Sequence, residues 1–195
     1  ARQWFYDEVL DGVRLSITKK RFEGDIGWST GREWADGLNE TIGFKNINLE
    51  LRWRFTKDQF ISGWYVARED STNTNFNPQL TGLRWVNRPK TGFRHWIDVA
   101  AASGEVGGES IQGFGADMGV NIISKKLPRP YGVIALAYGS GVDGKSQDTA
   151  FRQSGLQGNS DKFGGISRYN YYGEVFKPEL SNRMIASVGV GIKPN

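Results

Sequence analysis

Residues 46–56 read Asn-Ile-Asn-Leu-Glu-Leu-Arg-Trp-Arg-Phe-Thr. Ile47, Leu49, Leu51, Trp53 and Phe55 alternate with Asn48, Glu50, Arg52 and Arg54. Successive side chains of a strand point to opposite faces, so this stretch makes one wholly apolar face and one polar, charged face. The alternation recurs along the chain, between connections that are by turns short and long. A soluble β-sandwich has no reason to alternate its loop lengths. A transmembrane β-barrel does: its strands turn apolar side chains to lipid and polar ones to water, with short periplasmic turns and longer extracellular loops.

The expectation is therefore all-β: an antiparallel up-and-down transmembrane barrel with about nine strands in this chain. The strands fall at residues 12–19, 22–30, 46–56, 59–68, 79–88, 93–103, 112–124, 130–140 and 183–193. Short turns at 19–21, 57–58, 89–92 and 125–128 are assigned to the periplasmic side. Connections at 31–45, 69–77, 104–110 and 141–178 are assigned to the extracellular side, the last as a lid partly covering the pore. Strand 59–68 is apolar on both sides, Phe60, Trp64 and Val66 against Ile61, Tyr65 and Ala67, so its facing stays open. In 93–103, Arg94, Trp96 and Asp98 are placed inward, because an arginine facing lipid at mid-membrane costs about 2–4 kcal/mol.

Composition narrows the functions. The 195 residues contain no Cys, which removes disulfides, cysteine nucleophiles and thiolate metal sites. No apolar run approaches the roughly 18 residues of a membrane helix, a filter that barrel strands pass unnoticed. Seven Trp and 26 Gly suit interfacial aromatic girdles and twisted strands. Ala1-Arg2-Gln3-Trp4 has no secretory-signal pattern, and the last residues are Lys193-Pro194-Asn195 instead of a closing aromatic. The chain therefore reads as an internal part of a larger barrel, or as a barrel trimmed at both ends.

The inward positions collect Arg14, Arg52, Arg54, Arg84 and Arg94. A guanidinium is charged at any working pH and binds carboxylates in bidentate fashion, as a path for anions or uronates requires. The competing reading is that these arginines neutralise Glu23, Asp25, Glu50, Asp98 and Asp117, as charges do in any wet lumen. Trp28, Trp53, Trp64 and Trp85 read as girdle residues, and Trp96 as an inward residue able to stack on a sugar. Asp98 and Asp117 could face one another, but as balancing charges and not as a hydrolytic pair. His95 is the one histidine, so no metal cluster or hydrolase triad forms around it. No catalytic set, cofactor, metal or nucleic-acid signal is present, and the expectation is a protein that is not an enzyme.

From about Trp96 onward the chain resembles the alginate-export porin family of Gram-negative outer membranes. The strongest matches are Tyr138-Gly-Ser-Gly-Val-Asp-Gly-Lys145, Phe151-Arg-Gln-Ser-Gly-Leu-Gln157, Asn159-Ser-Asp-Lys-Phe163, Gly173-Glu-Val-Phe176 and Glu179-Leu-Ser-Asn182. Weaker similarity covers Gln3-Trp4, Asp11-Gly-Val-Arg14 and Phe114-Gly-Ala-Asp-Met-Gly119. The resemblance implies a barrel of about eighteen strands with an arginine-rich lumen that passes an acidic polysaccharide, and it adds Arg2 and Arg168 to the path. It implies location in the cell outer membrane, contact with the lipid bilayer, an alginate-like or small anionic solute, and export-machinery partners on the periplasmic side. A soluble carbohydrate-binding or lipocalin-like β-barrel is the alternative.

Overall fold

The structure is a computed structural model and describes residues 11–34, 41–70, 77–142, 148–152, 160–163, 167–170 and 180–192. Every regular element among them is a strand: β1 (Asp11–Lys19), β2 (Phe22–Trp34), β3 (Thr41–Arg54), β4 (Gln59–Asp70), β5 (Asn77–Asn87), β6 (Gly92–Val106), β7 (Glu109–Ile123), β8 (Pro130–Gly139), β9 (Ser160–Phe163), β10 (Ser167–Asn170) and β11 (Arg183–Ile192). Nine of them form one antiparallel sheet in the order β1-β2-β3-β4-β5-β6-β7-β8-β11. Each strand pairs with its chain neighbour except where β8 skips the β9–β10 hairpin to meet β11. The sheet is open, with β1 and β11 as its edges.

The alternation read in the sequence is the alternation of the two faces. Val13, Leu15 and Ile17 of β1, Ile47, Leu49 and Leu51 of β3, and Val188 and Val190 of β11 are all exposed, Val190 at 84%. Their neighbours along each strand point the other way, toward the face that carries the arginines. An apolar surface spread over one side of a nine-stranded sheet exceeds what soluble monomers expose. It is what a lipid-facing wall presents.

Register adds a geometric check. Phe22, Trp53, Ile61, Trp85, Ile97, Met118 and Leu136 pair in turn straight across the sheet. This row begins beside the β1–β2 hairpin tip and ends about nine residues from the β7–β8 tip, a climb of roughly 25 Å across about 29 Å of sheet. If the hairpin tips are level, the strands slope by about 40°, within the tilt of roughly 35–45° found in membrane barrels.

Three expected connections differ. Residues 31–45 are mostly strand, since the β2–β3 ladder runs out to Trp34 opposite Thr41. Residues 104–110 are not a loop: β6 and β7 stay paired to Val106 opposite Glu109, and Gly107-Gly108 turns the chain. Their φ values of 61° and 84° are those of a two-residue hairpin turn that only glycine adopts freely. Ladder hydrogen bonds need no apolar side chains, so these strands continue past the apolar band. Within 141–178, β9 and β10 form a short hairpin of their own.

Candidate functional site

The inner face is built from the positions that alternate with the exposed apolar ones. At its short-turn end it is charged. Glu23 lies directly opposite Arg52 and accepts from Arg52 Nη1 at 2.9 Å. It also accepts from Arg54, through Nη2 at 3.1 Å and through Nε. Arg52 donates its other nitrogen to Glu50 at 2.8 Å. Both guanidinium groups lie over the ring of Phe60, 4.5 and 5.6 Å from its centroid, so the aromatic plane backs the cations. Arg14 donates to Asp25 from Nε at 3.0 Å and Nη2 at 2.8 Å, beside Ser16, which donates to the same oxygen.

Further across the sheet the charges are sealed. Arg84 stands opposite Asp98 and donates to it from Nε at 2.8 Å and from Nη2. Both side chains are only 4% exposed. Asp98 stands opposite Asp117, which is fully buried. Like charges directly opposite each other destabilise a sheet, so each needs its own donor. Trp64 Nε1 donates to Asp98 at 3.3 Å, and Trp96 Nε1 donates to Asp117 at 2.7 Å. The two indoles reach inward because they lie over glycines: a Cβ on Gly82 would fall inside the Trp64 ring, and one on Gly119 inside the Trp96 ring. Trp64 is therefore an inward residue, 3% exposed, where the sequence reading had placed it in the outer girdle. Trp28, Trp53 and Trp85 do face outward.

Arg94 is half-buried on the inner face opposite Asn121, with no ion-pair partner among the described residues. Arg68, which the sequence reading passed over, is buried on the same face 3.8 Å from Asp70. It closes the strand whose facing was left open, and Phe60, Ser62, Trp64 and Val66 now show that its even positions point inward. Arg168 sits in β10 opposite Lys162, and its side chain lies outside the described residues, as does Arg2. The described inner wall thus carries Arg14, Arg52, Arg54, Arg68, Arg84 and Arg94 against Glu23, Asp25, Glu50, Asp70, Asp98 and Asp117.

The other end of the inner face carries an apolar cluster beside the buried Arg68–Asp70 pair, and a piece of chain covers part of it. Residues 148–152 lie along β7 like an added strand: Gln112 N–H donates to Asp148 O at 2.8 Å and Asp148 N–H to Ser110 O at 3.2 Å. Phe151 is fully buried with its ring over Gly115, and Leu180 is fully buried against Gly139. A side chain at Gly113 would strike Ala150 O and Phe151 Cα, so the glycines of β7 set how closely this strap approaches. Trp64, Val66, Leu80, Ala100, Ala102, Ile111 and Ala137 complete the cluster. Burial raises the Asp148 carboxyl, but hydrogen bonds from Arg152 and from the Ala150 N–H, with the Arg152 charge, outweigh it and hold it below its ordinary value.

No grouping here resembles a metal site, and among the described residues no three ligating side chains converge. What the geometry offers is a wall: exposed and apolar on one side, and on the other arginines backed by carboxylates and aromatic planes. No curated protein matches the chain. The alginate export family does, over residues 1–195, and the chain belongs to that family.

Proposed function

We propose that this sheet is part of the wall of an outer-membrane channel that passes an acidic polysaccharide of the alginate type, and with it smaller anions. The supporting observation is the cluster of Arg52 and Arg54 over Phe60, fed from adjacent strands and 23% and 31% exposed at their side chains. A uronate carboxylate approaching it exchanges with Glu23 and Glu50 for the same guanidinium forks, so anion binding there is an exchange between carboxylates and costs little desolvation. Arg14 and Arg94 extend the path on either side. Arg84, Asp98 and Asp117 are buried and brace the wall, with Trp96 holding Asp117. The extensive outward apolar surface weighs against a soluble carbohydrate-binding barrel. Export-machinery partners would meet the short-turn rim. Passive passage needs no catalytic group.

The test is a planar-bilayer recording of the closed barrel that contains this chain, with Arg52→Glu and Arg54→Glu together. Selectivity should move toward cations and polyuronate block should weaken, both more strongly at low salt, because fixed lumenal charge is screened within about 3 Å at 1 M ionic strength. Unchanged reversal potential at low salt would refute the path.

A further inference from the structure

On the outer face, between the β5–β6 and β7–β8 hairpins, lies a groove of about 490 Å³ lined by Trp85, His95, Ile97, Met118, Ile134 and Leu136 among others. The groove is almost wholly apolar. Its mouth is not. The β5–β6 turn carries Arg88 and Lys90, and the β7–β8 turn carries Lys125, Lys126 and Arg129, with no acidic residue in 88–91 or 124–129. Arg88, Lys90, Lys125 and Lys126 are exposed. Arg129 holds φ at 51°, a left-handed conformation that suits glycine and strains a long side chain. Lys20 of the β1–β2 turn has the same conformation, so it is the combined charge of the two turns at the groove that matters.

We propose that this region binds one anionic glycerophospholipid, with an acyl chain in the groove and the phosphate held by the two basic turns. The inference rests on the membrane-wall reading above. The depths agree. Ile97 and Met118, paired at the groove's centre, each lie five residues from the turn end of their strand, Gly92 and Ile123. That is about 16 Å along the strand, or roughly 12 Å of depth at the 40° slope. Half of a hydrocarbon core is about 15 Å, so the turns fall at headgroup level and the groove within one leaflet. Charge selects the lipid: Asp58 of the neighbouring turn lies beside Arg88, and Lys90, Lys125, Lys126 and Arg129 still leave the mouth cationic, which favours a net-negative headgroup over a zwitterionic one.

The test is native mass spectrometry of the protein purified in detergent with equal amounts of phosphatidylglycerol and phosphatidylcholine. The wild type should retain phosphatidylglycerol at least fivefold over phosphatidylcholine. Lys125→Glu with Lys126→Glu should bring that ratio near one, while Lys19→Glu with Lys20→Glu, the same charge change on a hairpin away from the groove, should leave it. Val120→Trp, which fills the groove beside His95, should lower retention of both lipids. Folding of each variant is checked by heat-modifiable gel migration. Equal retention of the two lipids by wild type, or an equal effect of the control reversal, overturns the site. A protein that stays monodisperse without detergent overturns the membrane-wall reading as well, and is a distinct outcome.

Discussion

Removing the Phe151 ring should release the strap at 148–152 while leaving the sheet intact. Three backbone hydrogen bonds tie the strap to its neighbours, from Gln112 N–H to Asp148 O, from Asp148 N–H to Ser110 O and from Phe151 N–H to Ser140 O. Two side-chain hydrogen bonds join them, from Ser140 Oγ to Thr149 O and from Thr149 Oγ1 to Gly141 O, both at 2.6 Å. At about 1 kcal/mol net each the five supply roughly 5 kcal/mol. Ordering the backbone of five residues costs about 5–10 kcal/mol, so the hydrogen bonds alone reach at most balance. A fully buried Phe adds roughly 3–5 kcal/mol relative to Ala, which brings docking close to balance or beyond. Phe151→Ala removes that share and touches no ladder between the nine strands. The assay uses Ala150→Cys, a buried position in a chain that has no other cysteine. Its reaction with a maleimide reports how often the strap lifts. Since 1.4 kcal/mol is tenfold, labelling should quicken by at least about 100-fold in the Phe151→Ala background, with unchanged heat-modifiable migration. Acceleration below about threefold would mean that the ring does not secure the strap.

Acid should loosen the same strap. The Asp148 carboxyl is depressed below its ordinary value of 3.8, so its contribution is complete above that pH and disappears as pH falls through the lower folded value. Pepsin cleavage within 148–152 should therefore rise below about pH 4, and Asp148→Asn should be cleaved equally at both ends of that window; a flat wild-type profile would exclude the carboxylate as the group that braces the strap from within, through Arg152 and the Ala150 N–H. On the outer face, Leu51→Arg should cost about 2–4 kcal/mol in a membrane-folding titration if Leu51 lies near mid-bilayer, and a cost near zero would place it at an interface or turn the strand over.

What could be read in the sequence was whatever depends on local period. The two-residue alternation located all nine strands of the sheet and assigned the faces of β1, β3, β7 and β11, because register on a sheet with one apolar side is fixed by that pattern. β4 resisted because its inward apolar residues are covered from neighbouring strands and not by their own alternation: Phe60 by two arginines of β3, Trp64 by the gap at Gly82 on β5. The strap was hidden for the same reason. Its signal was present in Gly113 and Gly115, since glycines inside a strand mark a close approach of other backbone, but not which segment approaches. Gly107-Gly108 was a plain hairpin cue that polar neighbours caused to be read as a loop.

The same limit governs the charges. Alternation assigns a side chain to a face and says nothing of what lies over that face. Arg52 and Arg84 occupy equivalent inward positions, yet one keeps 23% of its side chain exposed and the other 4%. The difference comes from the neighbours. Beside Arg84, Trp64 and Trp96 lean over glycines and close the surface above Asp98 and Asp117. Beside Arg52, Phe60 lies under the guanidinium and leaves its outer edge open. Breaking the sealed pair by removing one partner would leave a buried charge uncompensated, at about 3–5 kcal/mol, whereas the open pair can exchange partners with a solute. Reversing Arg84 should therefore cost folding, and reversing Arg52 and Arg54 should cost selectivity. A solute path read from inward arginines alone would merge the two classes that neighbouring tryptophans and glycines keep apart.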